Sequence, residues 1–441
     1  FFDFRSSFEK SKPPFLFILN IKYVGEYLMR LLQINCWYDQ GSTGKLVQAI
    51  QKFAIQQGHE SYVLYGLGEK IDDGHAFRVT PWIIRKAQSF WSRITGYPYG
   101  GCIWGTYQAI KYMKKIKPDI VHIQCMNGYM VNIYKILDYL KKEDIPTVIT
   151  NHAEFMYTGG CTHALRCDRW LSGCGHCDKI GKEHPISYFF DRTAEEWRML
   201  QQSYNGFQHI CICNVSGWLT KRAQKSPFYK KFPIKTVLNG VNTENFTFHS
   251  KNKEKIRGQF HIPDKPTVIH VTAGFDNPIK GGKHVTEMAK RFPEFNFLIV
   301  GDAQQKSGYP RNMIFTGPVR NQYLLGEMYS LADICLLTSV KETFSMVTVE
   351  SLCCGTPVIG FEAGGPEDIA LPAYSVFVEQ GNDEKLASAL NQAMDKNYDK
   401  KKISQEAVQL YSDNTMCENY FYIYENLLQK IKNKKVCHVC F

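Results

Sequence analysis

Two glutamates in the second half of the chain have a spacing that could let them act on one ligand. Glu342 and Glu350 are separated by the seven residues Thr-Phe-Ser-Met-Val-Thr-Val. The apolar pattern predicts a strand at residues 334–338, a loop with Glu342, and a helix from Val347 that carries Glu350. Parallel α/β sheets bind ligands at the carboxyl ends of their strands, so both carboxylates are expected there. Taken singly, each glutamate could equally be a surface residue that matches a helix dipole.

A glycine-rich turn near the start of the chain is a candidate phosphate site. Residues 41–45 read Gly-Ser-Thr-Gly-Lys and open a predicted helix at 45–57. Backbone amides at a helix amino terminus bind phosphate, which makes Gly44 and Lys45 candidate contacts. The turn is not a nucleotide-kinase P-loop, because Asp39 replaces its first glycine and Leu46 replaces its Mg²⁺-binding hydroxyl. The alternative is an ordinary strand–helix turn with a solvated lysine.

A histidine and a lysine follow two other predicted strands. His152 comes after a predicted strand at 146–150, and Lys280 comes after one at 268–272, with Gly281 behind it. Both positions therefore belong at the carboxyl edge of a sheet. A single histidine near a strand end is more often structural than functional, and single lysines are mostly exposed, so both alternatives stay open.

Four of the fifteen cysteines cluster in an irregular insertion at residues 154–185. Their spacing is Cys161-x5-Cys167-x6-Cys174-x2-Cys177. Four thiolates in one short segment are enough for a tetrahedral structural zinc site, whereas free thiols or a labile disulfide are the alternatives. The cysteines inside predicted strands and helices are interpreted as small buried hydrophobes.

The composition favours anionic partners. The chain of 441 residues carries a net charge of +11, and its isoelectric point is about 8.8. Basic runs at residues 111–117 and 221–235 contain aromatic residues, which predicts peripheral contact with an anionic membrane. No nucleic-acid-binding module is recognisable, so nucleic acid is not an expected partner. No apolar run is long enough to span a bilayer.

Strand and helix patterns alternate through most of the chain, which predicts two doubly wound α/β domains. Translation is expected to start at Met29, so residues 1–28 are interpreted as a non-native or disordered extension. The first domain is predicted at 29–240, including a strand at 236–240, and the second at 241–412. For residues 413–441, the sequence pattern predicts a long amphipathic helix and a basic tail.

The segment from Glu342 to Glu350, with its flanks, resembles the E-x7-E signature of family 4 glycosyltransferases. The cysteine insertion further resembles the colanic-acid and exopolysaccharide subgroup of that family. The resemblance covers residues 29 to about 424 and is most specific from 271 to 368. It implies the GT-B fold, in which two Rossmann-like domains face each other and the final helix crosses back to the first.

The resemblance also implies a role for each matched residue. Glu342 would contact hydroxyls of the donor sugar, Glu350 the ribose, and His152 the sugar and phosphate region. Lys280 would hold the donor diphosphate beside a position where the family has arginine and this chain has Gly274. The family's acidic neighbour of the histidine is missing here or displaced to Glu154. The remaining implied donor contacts are Gly44, Lys45, Gly281, Val319, Phe344, Ser345, Met346 and Val347.

The resemblance implies a retaining glycosyltransferase that moves a hexose-type sugar from a UDP- or GDP-sugar to a hydroxyl. The expected acceptor is a lipid-linked oligosaccharide in bacterial capsule, exopolysaccharide or lipopolysaccharide synthesis. The expected enzyme is cytoplasmic, touches the inner face of the membrane, and needs no catalytic metal. Because Gly274 removes one cation, the alternative is a catalytically silent nucleotide-sugar binder of the same fold. An epimerase of GT-B fold is a weaker alternative.

Overall fold

The computed structural model describes residues 28–71, 73–181, 186–303 and 308–439, with backbone alone for 434–439. This part of the chain divides into two compact units. The first unit ends at Leu238 and resumes at Met416; the second runs from Asn239 to Thr415. The expected extension at residues 1–28 lies outside the described residues, apart from Leu28.

The first unit is a seven-stranded parallel sheet with helices between its strands. The strands are β1 (Arg30–Trp37), β2 (Glu60–Leu67), β3 (Ala76–Arg78), β4 (Ile120–Cys125), β5 (Thr147–Asn151), β6 (Ile210–Asn214) and β7 (Ile234–Thr236). The helices are α1 (Gly41–Gln56), α2 (Trp82–Thr95), α3 (Ile103–Ile116), α4 (Ile133–Lys142), α5 (Thr193–Tyr204) and α6 (Gly217–Lys225). The spatial order β3-β2-β1-β4-β5-β6-β7 reverses direction between β1 and β4.

The second unit is a six-stranded parallel sheet of the same kind. Its strands are β8 (Thr267–Thr272), β9 (Asn296–Gly301), β10 (Met313–Gly317), β11 (Ile334–Leu337), β12 (Val358–Phe361) and β13 (Ser375–Val378). Its helices are α7 (Lys253–Phe260), α8 (Gly282–Arg291), α9 (Gln322–Leu331), α10 (Met346–Cys353), α11 (Pro366–Ile369), α12 (Asp383–Met394) and α13 (Lys400–Tyr411). The order β10-β9-β8-β11-β12-β13 reverses between β8 and β11.

Local sequence explains where these elements begin. The central strands are mainly apolar, as expected of parallel strands covered on both faces, and every residue of β4 and β9 is buried, including His122 and Gln124. Several helices start at a side chain that accepts a backbone N–H. The Asn132 side chain accepts from Lys135 at the start of α4, and Ser216 accepts from Leu219 at the start of α6.

The structure differs from the predicted strands at the sheet edges. The strand predicted at 236–240 is found at 234–236, and the chain continues to Val241, which forms a parallel bridge with Ser412. The short edge strands β3 and β13 were not predicted, since three or four partly exposed residues give little periodic signal. Cysteines within the elements, such as Cys211, Cys335 and Cys353, are buried as predicted.

The final helix, α14 (Asp413–Val439), contributes to the core of the first unit. From Met416 onward, its apolar residues join a buried cluster with β1, β4, β5, β6 and α1. Phe421 is fully buried, and its ring lies 5.0 Å from that of Phe53 and 5.4 Å from that of His59. No helix among the described residues combines the length and apolar character needed to cross a bilayer.

Replacing Phe421 with alanine tests this packing. The substitution should lower the free energy of unfolding of the first unit by about 3–5 kcal/mol, because it opens a cavity in a closed core. Urea unfolding followed by circular dichroism gives the measurement, and Gln429→Ala on the exposed side of α14 is the matched control. Equal midpoints for both variants would show that the helix adds no core stability.

Candidate active site

The turn after β8 is shaped by one glycine that cannot be replaced without displacement of its neighbours. Gly281 has a φ of +73°, and a Cβ there would lie 2.1 Å from the carbonyl oxygen of Thr338. Just before it, residues Pro278–Lys280 form a single 3₁₀ turn, capped by the Asn277 side chain. The carbonyl of Lys280 accepts the Thr338 hydroxyl at 3.0 Å. These contacts hold Lys280 at the carboxyl edge of β8, beside β11.

The loop after β11 brings Glu342 to the same place. The backbone N–H of Glu342 donates to Ala363, and its carbonyl accepts from Gly365, which ties this loop to the one after β12. The Lys280 Nζ lies 2.8 Å from the Glu342 Oε1, and the two side chains are 32% and 23% exposed. Both charges therefore remain within reach of a ligand. A partly exposed ion pair of this kind adds little net stability, so folding alone does not account for it.

Ser345 adds a strained backbone to this loop. Its φ of +106° is rare for any residue other than glycine, and its hydroxyl accepts the N–H of Thr348 to cap α10. Phe344 beside it is buried, while Met346 and Val347 at the start of the helix are half-buried. Strain of this kind gathers at ligand sites, where surrounding contacts enforce it. The loop is thus shaped by more than the need to connect β11 to α10.

Glu350 lies on α10 and is oriented by a buried tyrosine. The hydroxyl of Tyr329 on α9 donates to the Glu350 Oε2 at 3.1 Å. Burial raises the pKa of Tyr329 well above its ordinary value, and the charge of Glu350 adds to the rise, so the phenol stays neutral and donates. Glu350 itself is half-buried. Its carboxylate is thereby fixed in direction while part of it stays accessible.

Two other predicted donor contacts lie at the same edge of the second sheet. Val319, in the loop after β10, is half-buried. Gly274 is half-buried in the loop after β8, and a Cβ there would meet only the Asn277 Cβ, at 3.8 Å. The position therefore has room for a side chain, and glycine is not required there for space. Within the described loop, Lys280 is the cation paired with Glu342.

In the first unit, the predicted phosphate contacts Gly44 and Lys45 lie inside α1, because this helix begins at Gly41 rather than at Lys45 as predicted. The N–H of Asp39 donates to the Gly44 carbonyl at 3.3 Å, and a Cβ on Gly44 would lie 3.2 Å from the Asp39 nitrogen. Gly44 is buried and Lys45 is exposed. The first turn of α1 has no acidic residue, so its amino-terminal dipole is not offset by a carboxylate.

His152 follows β5 and belongs to a buried chain of hydrogen bonds. Its Nε2 lies 2.7 Å from the Gln124 Oε1, an acceptor, so Nε2 carries the proton. The Gln124 amide donates to His122, although at the long distance of 3.4 Å. Two tyrosines of α14 complete the network: Tyr424 donates to the His122 Nδ1 at 2.6 Å, and Tyr420 bonds Thr150, which contacts the His122 Nε2. The final helix thus takes part in orienting His152.

Burial keeps both histidines neutral. It lowers the pKa of His152 to about 4 and the pKa of His122 well below its ordinary value. A neutral His152 with its proton on Nε2 has a lone pair on Nδ1 and no positive charge. Such a side chain can exchange hydrogen bonds with hydroxyls, but it does not supply a charge to neutralise a diphosphate.

Glu154 does not replace the acidic neighbour that the family places beside this histidine. Its side chain is fully buried, and its Oε1 lies 2.6 Å from the Nε of Arg222 on α6. The other oxygen accepts the N–H of Ala164 at 2.5 Å, and Tyr157 also donates to the carboxylate. Glu154 therefore ties the cysteine insertion to the sheet, and its oxygens are occupied by protein donors.

The four insertion cysteines line one cavity of about 90 Å³, and all are free thiols. Burial raises the pKa of Cys161 to about 11 and that of Cys174 to about 12, with neighbouring thiols adding to both. The backbone N–H of Gly159 donates to the Cys174 Sγ at 3.2 Å. Across the described residues, however, no three His, Cys, Asp or Glu side chains converge closely enough to hold a metal ion.

Sequence reasoning overlooked His122 and Gln124. They occupy alternate positions of β4, between the apolar residues Ile120, Val121 and Ile123. Two polar side chains in a strand that is otherwise apolar are a signal, since each must find a buried partner. The partners are more than 25 residues away in the chain, and for Tyr424 about 300, so the pattern could not name them.

Comparisons with known proteins agree with the second unit's geometry. Residues 252–409 match the model of the family Glycosyl transferases group 1. The chain is 31% identical to sulfoquinovosyl transferase SQD2 of Arabidopsis thaliana over 139 residues, which are 30% of this chain and 26% of that protein. It is 22% identical to the colanic acid biosynthesis glycosyl transferase WcaC of Escherichia coli (strain K12) over 170 residues, 36% and 42% of the two chains. The chain thus spans less than half the length of these relatives.

The fold as a whole is also known from solved structures. Alr3699/HepE from Anabaena, determined in complex with UDP, matches with a TM-score of 0.61, covering 90% of this chain and 100% of that one at 15% identity. An identity this low shows the fold alone. The prediction of an α/β fold of the GT-B class is therefore confirmed, while the colanic-acid subgroup has only the distant match to WcaC behind it.

The lowered pKa of His152 predicts a pH effect on stability. Between pH 6.5 and about 4, the unfolded chain binds a proton at this residue that the folded chain does not, so stability must fall as the pH is lowered through this window. Thermal unfolding at pH 7 and pH 5 should therefore show a smaller acid-induced loss for His152→Gln than for the unmodified chain. The other histidines are common to both proteins. An equal loss in the two would contradict the assignment.

Proposed function

We propose that this protein transfers a hexose-type sugar from a UDP- or GDP-sugar to a hydroxyl group. The observation that carries the proposal is the Lys280–Glu342 pair at the carboxyl edge of β8 and β11, inside the matched glycosyltransferase domain. A cation and a carboxylate 2.8 Å apart suit a ligand that offers a phosphate next to sugar hydroxyls. The UDP bound to HepE supports a nucleotide donor.

The candidate site residues of the second unit each have a role in this proposal. Lys280 and the amino terminus of α8, which starts at Gly282, neutralise the developing charge on the diphosphate. Glu342 accepts hydrogen bonds from hydroxyls of the donor sugar. Glu350, oriented by Tyr329, accepts from the ribose. In the proposed mechanism these groups carry the charge stabilisation that a catalytic Mg²⁺ supplies in other nucleotide enzymes.

The chemical step would retain the configuration at the sugar's anomeric carbon. The bond from that carbon to the diphosphate oxygen breaks, a bond to the acceptor oxygen forms on the same face, and the acceptor's proton passes to the leaving diphosphate. The protein's contribution is then position and charge rather than a covalent intermediate. In the first unit, Gly44, Lys45 and the neutral His152 are the proposed contacts to phosphate and sugar oxygens.

The proposed acceptor is a lipid-linked saccharide in the synthesis of a bacterial surface polysaccharide, at the cytoplasmic face of the membrane. The name of the relative WcaC supports a polysaccharide pathway. The rival proposal is a nucleotide-sugar binder without turnover, which draws on the absence of a second cation at Gly274. Sugar transfer by the purified protein would exclude that rival.

Conservative changes of the two glutamates test the proposed donor site. Glu342→Gln should lower the rate of sugar transfer about a hundredfold, the usual loss when one group that stabilises a transition state is removed. Glu350→Gln should chiefly raise the KM for the donor, since a ribose contact binds substrate and transition state alike. Product formation and nucleoside diphosphate release are measured across UDP- and GDP-sugars with a membrane extract as acceptor.

Glu384→Gln is the control for these variants, because Glu384 is an exposed glutamate of the same unit, on α12. It should leave both constants unchanged. If the double variant Glu342→Gln, Glu350→Gln transfers sugar as fast as the unmodified chain, the proposed donor site is wrong.

We further propose that the insertion cysteines Cys161, Cys167, Cys174 and Cys177 bind one structural zinc ion. All four line one cavity, which supports this proposal, and zinc binding would draw together sulfurs that do not converge on one point in the metal-free protein. Elemental analysis of the purified protein should find about one zinc per chain. Cys174→Ser should lower both the zinc content and the melting temperature, whereas Cys335→Ser in β11 should leave the zinc content unchanged. A metal-free protein with the same melting temperature would refute the site.

A further inference from the structure

An unusual share of the protein's exposed apolar residues lies on one face of the first unit. Among the described residues, fifteen large hydrophobic side chains are exposed, and ten of them belong to α2, the first turn of α3 and the loop 188–190. Isolated exposed hydrophobics need no explanation, but a cluster of this size marks an interaction surface. We call these ten residues the aromatic surface.

Helix α2 turns its apolar side outward. Trp82, Ile83, Phe90 and Trp91 are all exposed, Ile83 by 73%, and their spacings of seven and eight residues place them on one half of the helix. The residue of α2 that is fully buried is Ser92, a polar one. A helix that only covered a core would show the opposite pattern.

Two neighbouring segments extend this face. The N–H of Cys102 donates to the Gln88 side chain of α2, which sets the exposed Ile103, Trp104 and Tyr107 beside that helix. On the other side, the N–H of Tyr188 donates to the Arg93 carbonyl at 2.7 Å, which fixes loop 188–190 against the end of α2. The three segments are therefore neighbours in the first unit.

The charge along α2 and α3 has a single sign, whereas loop 188–190 is followed by Asp191 and Arg192. Residues 81–118 contain no Asp or Glu. They do contain seven cations: Arg85, Lys86, Arg93, Lys111, Lys114, Lys115 and Lys117. On α2, Lys86 and Arg93 project from the same half of the helix as the exposed aromatic side chains, by the helical spacing of 100° per residue.

We infer that the aromatic surface docks on an anionic lipid bilayer. Amphipathic elements with Trp and Phe on one side and Lys and Arg around them lie in the headgroup region of membranes. Each added cation strengthens attraction to anionic lipid. A second copy of this chain fits poorly, since a two-fold interface would press the cations of both copies together. A protein partner fits less well, because lysine is depleted at protein interfaces.

The aromatic surface differs from the membrane-facing segments that the sequence predicted. In the basic runs 111–117 and 221–235, the residues Met113, Phe228 and Tyr229 are buried in the protein. They cannot face lipid, although the lysines of the first run lie on α3 and are exposed. The inference deepens the lipid-linked acceptor of the proposed function, and it commits to a particular face of the first unit.

Vesicle flotation tests the inference without any need for enzymatic activity. The full chain should bind vesicles of phosphatidylcholine with phosphatidylglycerol at least tenfold more tightly than vesicles of phosphatidylcholine alone, and added salt should weaken binding. The double variant Ile83→Glu, Phe90→Glu should lose binding to both. The matched control Ile55→Glu, Val376→Glu adds the same charge at exposed apolar positions outside the surface, and it should bind like the unmodified chain.

A second variant separates charge from apolar contact. Lys111→Gln, Lys114→Gln, Lys115→Gln should weaken binding to the anionic vesicles about tenfold or more while leaving the aromatic residues in place. Circular dichroism checks that each variant is folded. Nucleoside diphosphate release with a water-soluble acceptor, measured in parallel, should stay unchanged, so a failed donor site and a failed docking surface give different results.

Three outcomes would overturn the inference. The first is an unmodified chain that floats with neither kind of vesicle, and the second is an Ile83, Phe90 variant that binds as tightly as the control. The third is a dimer, detected by light scattering and abolished in this variant, which would show that a second copy covers the surface.

Discussion

The reversal of strand order beside the first strand of each sheet is the constraint on which the candidate sites depend. Loops from strands on either side of the reversal leave in opposite directions, so they open a crevice at the carboxyl edge. In the second unit, this reversal separates β8 from β11, and it brings Lys280 and Glu342 to 2.8 Å although 61 residues lie between them. The approach is close enough to require glycine at position 281, since any Cβ would strike the Thr338 carbonyl. The chemistry of the pair follows from the sheet order rather than from either residue alone.

The first unit has the same reversal of strand order, and a buried polar network adds further contacts at its candidate site. His152, Gln124 and His122 lie beyond or within adjacent strands, and Tyr420 and Tyr424 of the last helix complete their hydrogen bonds. Buried polar groups without partners are costly, so such a network holds only when every member is present. The helix that closes the core of this unit therefore also belongs to the hydrogen-bond network that includes His152. Stability and the candidate site are linked through one set of contacts.

Residues 154–190 add features that a doubly wound sheet does not need. The buried Glu154–Arg222 ion pair anchors the insertion, its cysteines share a cavity, and its end supplies part of the aromatic surface. A buried carboxylate is stable only with donors on its oxygens, and Arg222, Tyr157 and Ala164 provide them. These contacts anchor the described start of the insertion to α6.

The amino-acid sequence by itself determined the alternation of strands and helices and the two-domain α/β class, because these depend on local periodicity. It also determined that Glu342, Lys280 and His152 lie at the carboxyl edges of the sheets, because the carboxyl ends of parallel strands share an edge. It could not determine that Tyr329 orients Glu350, that Glu154 forms an ion pair with Arg222, or that the apolar side of α2 is exposed. Periodicity reports that a helix has an apolar side, not which way that side points. The direction of that side was decided only by the tertiary structure, because packing determines which helix faces are covered and which stay exposed. The same holds for contacts between residues that are distant in the chain.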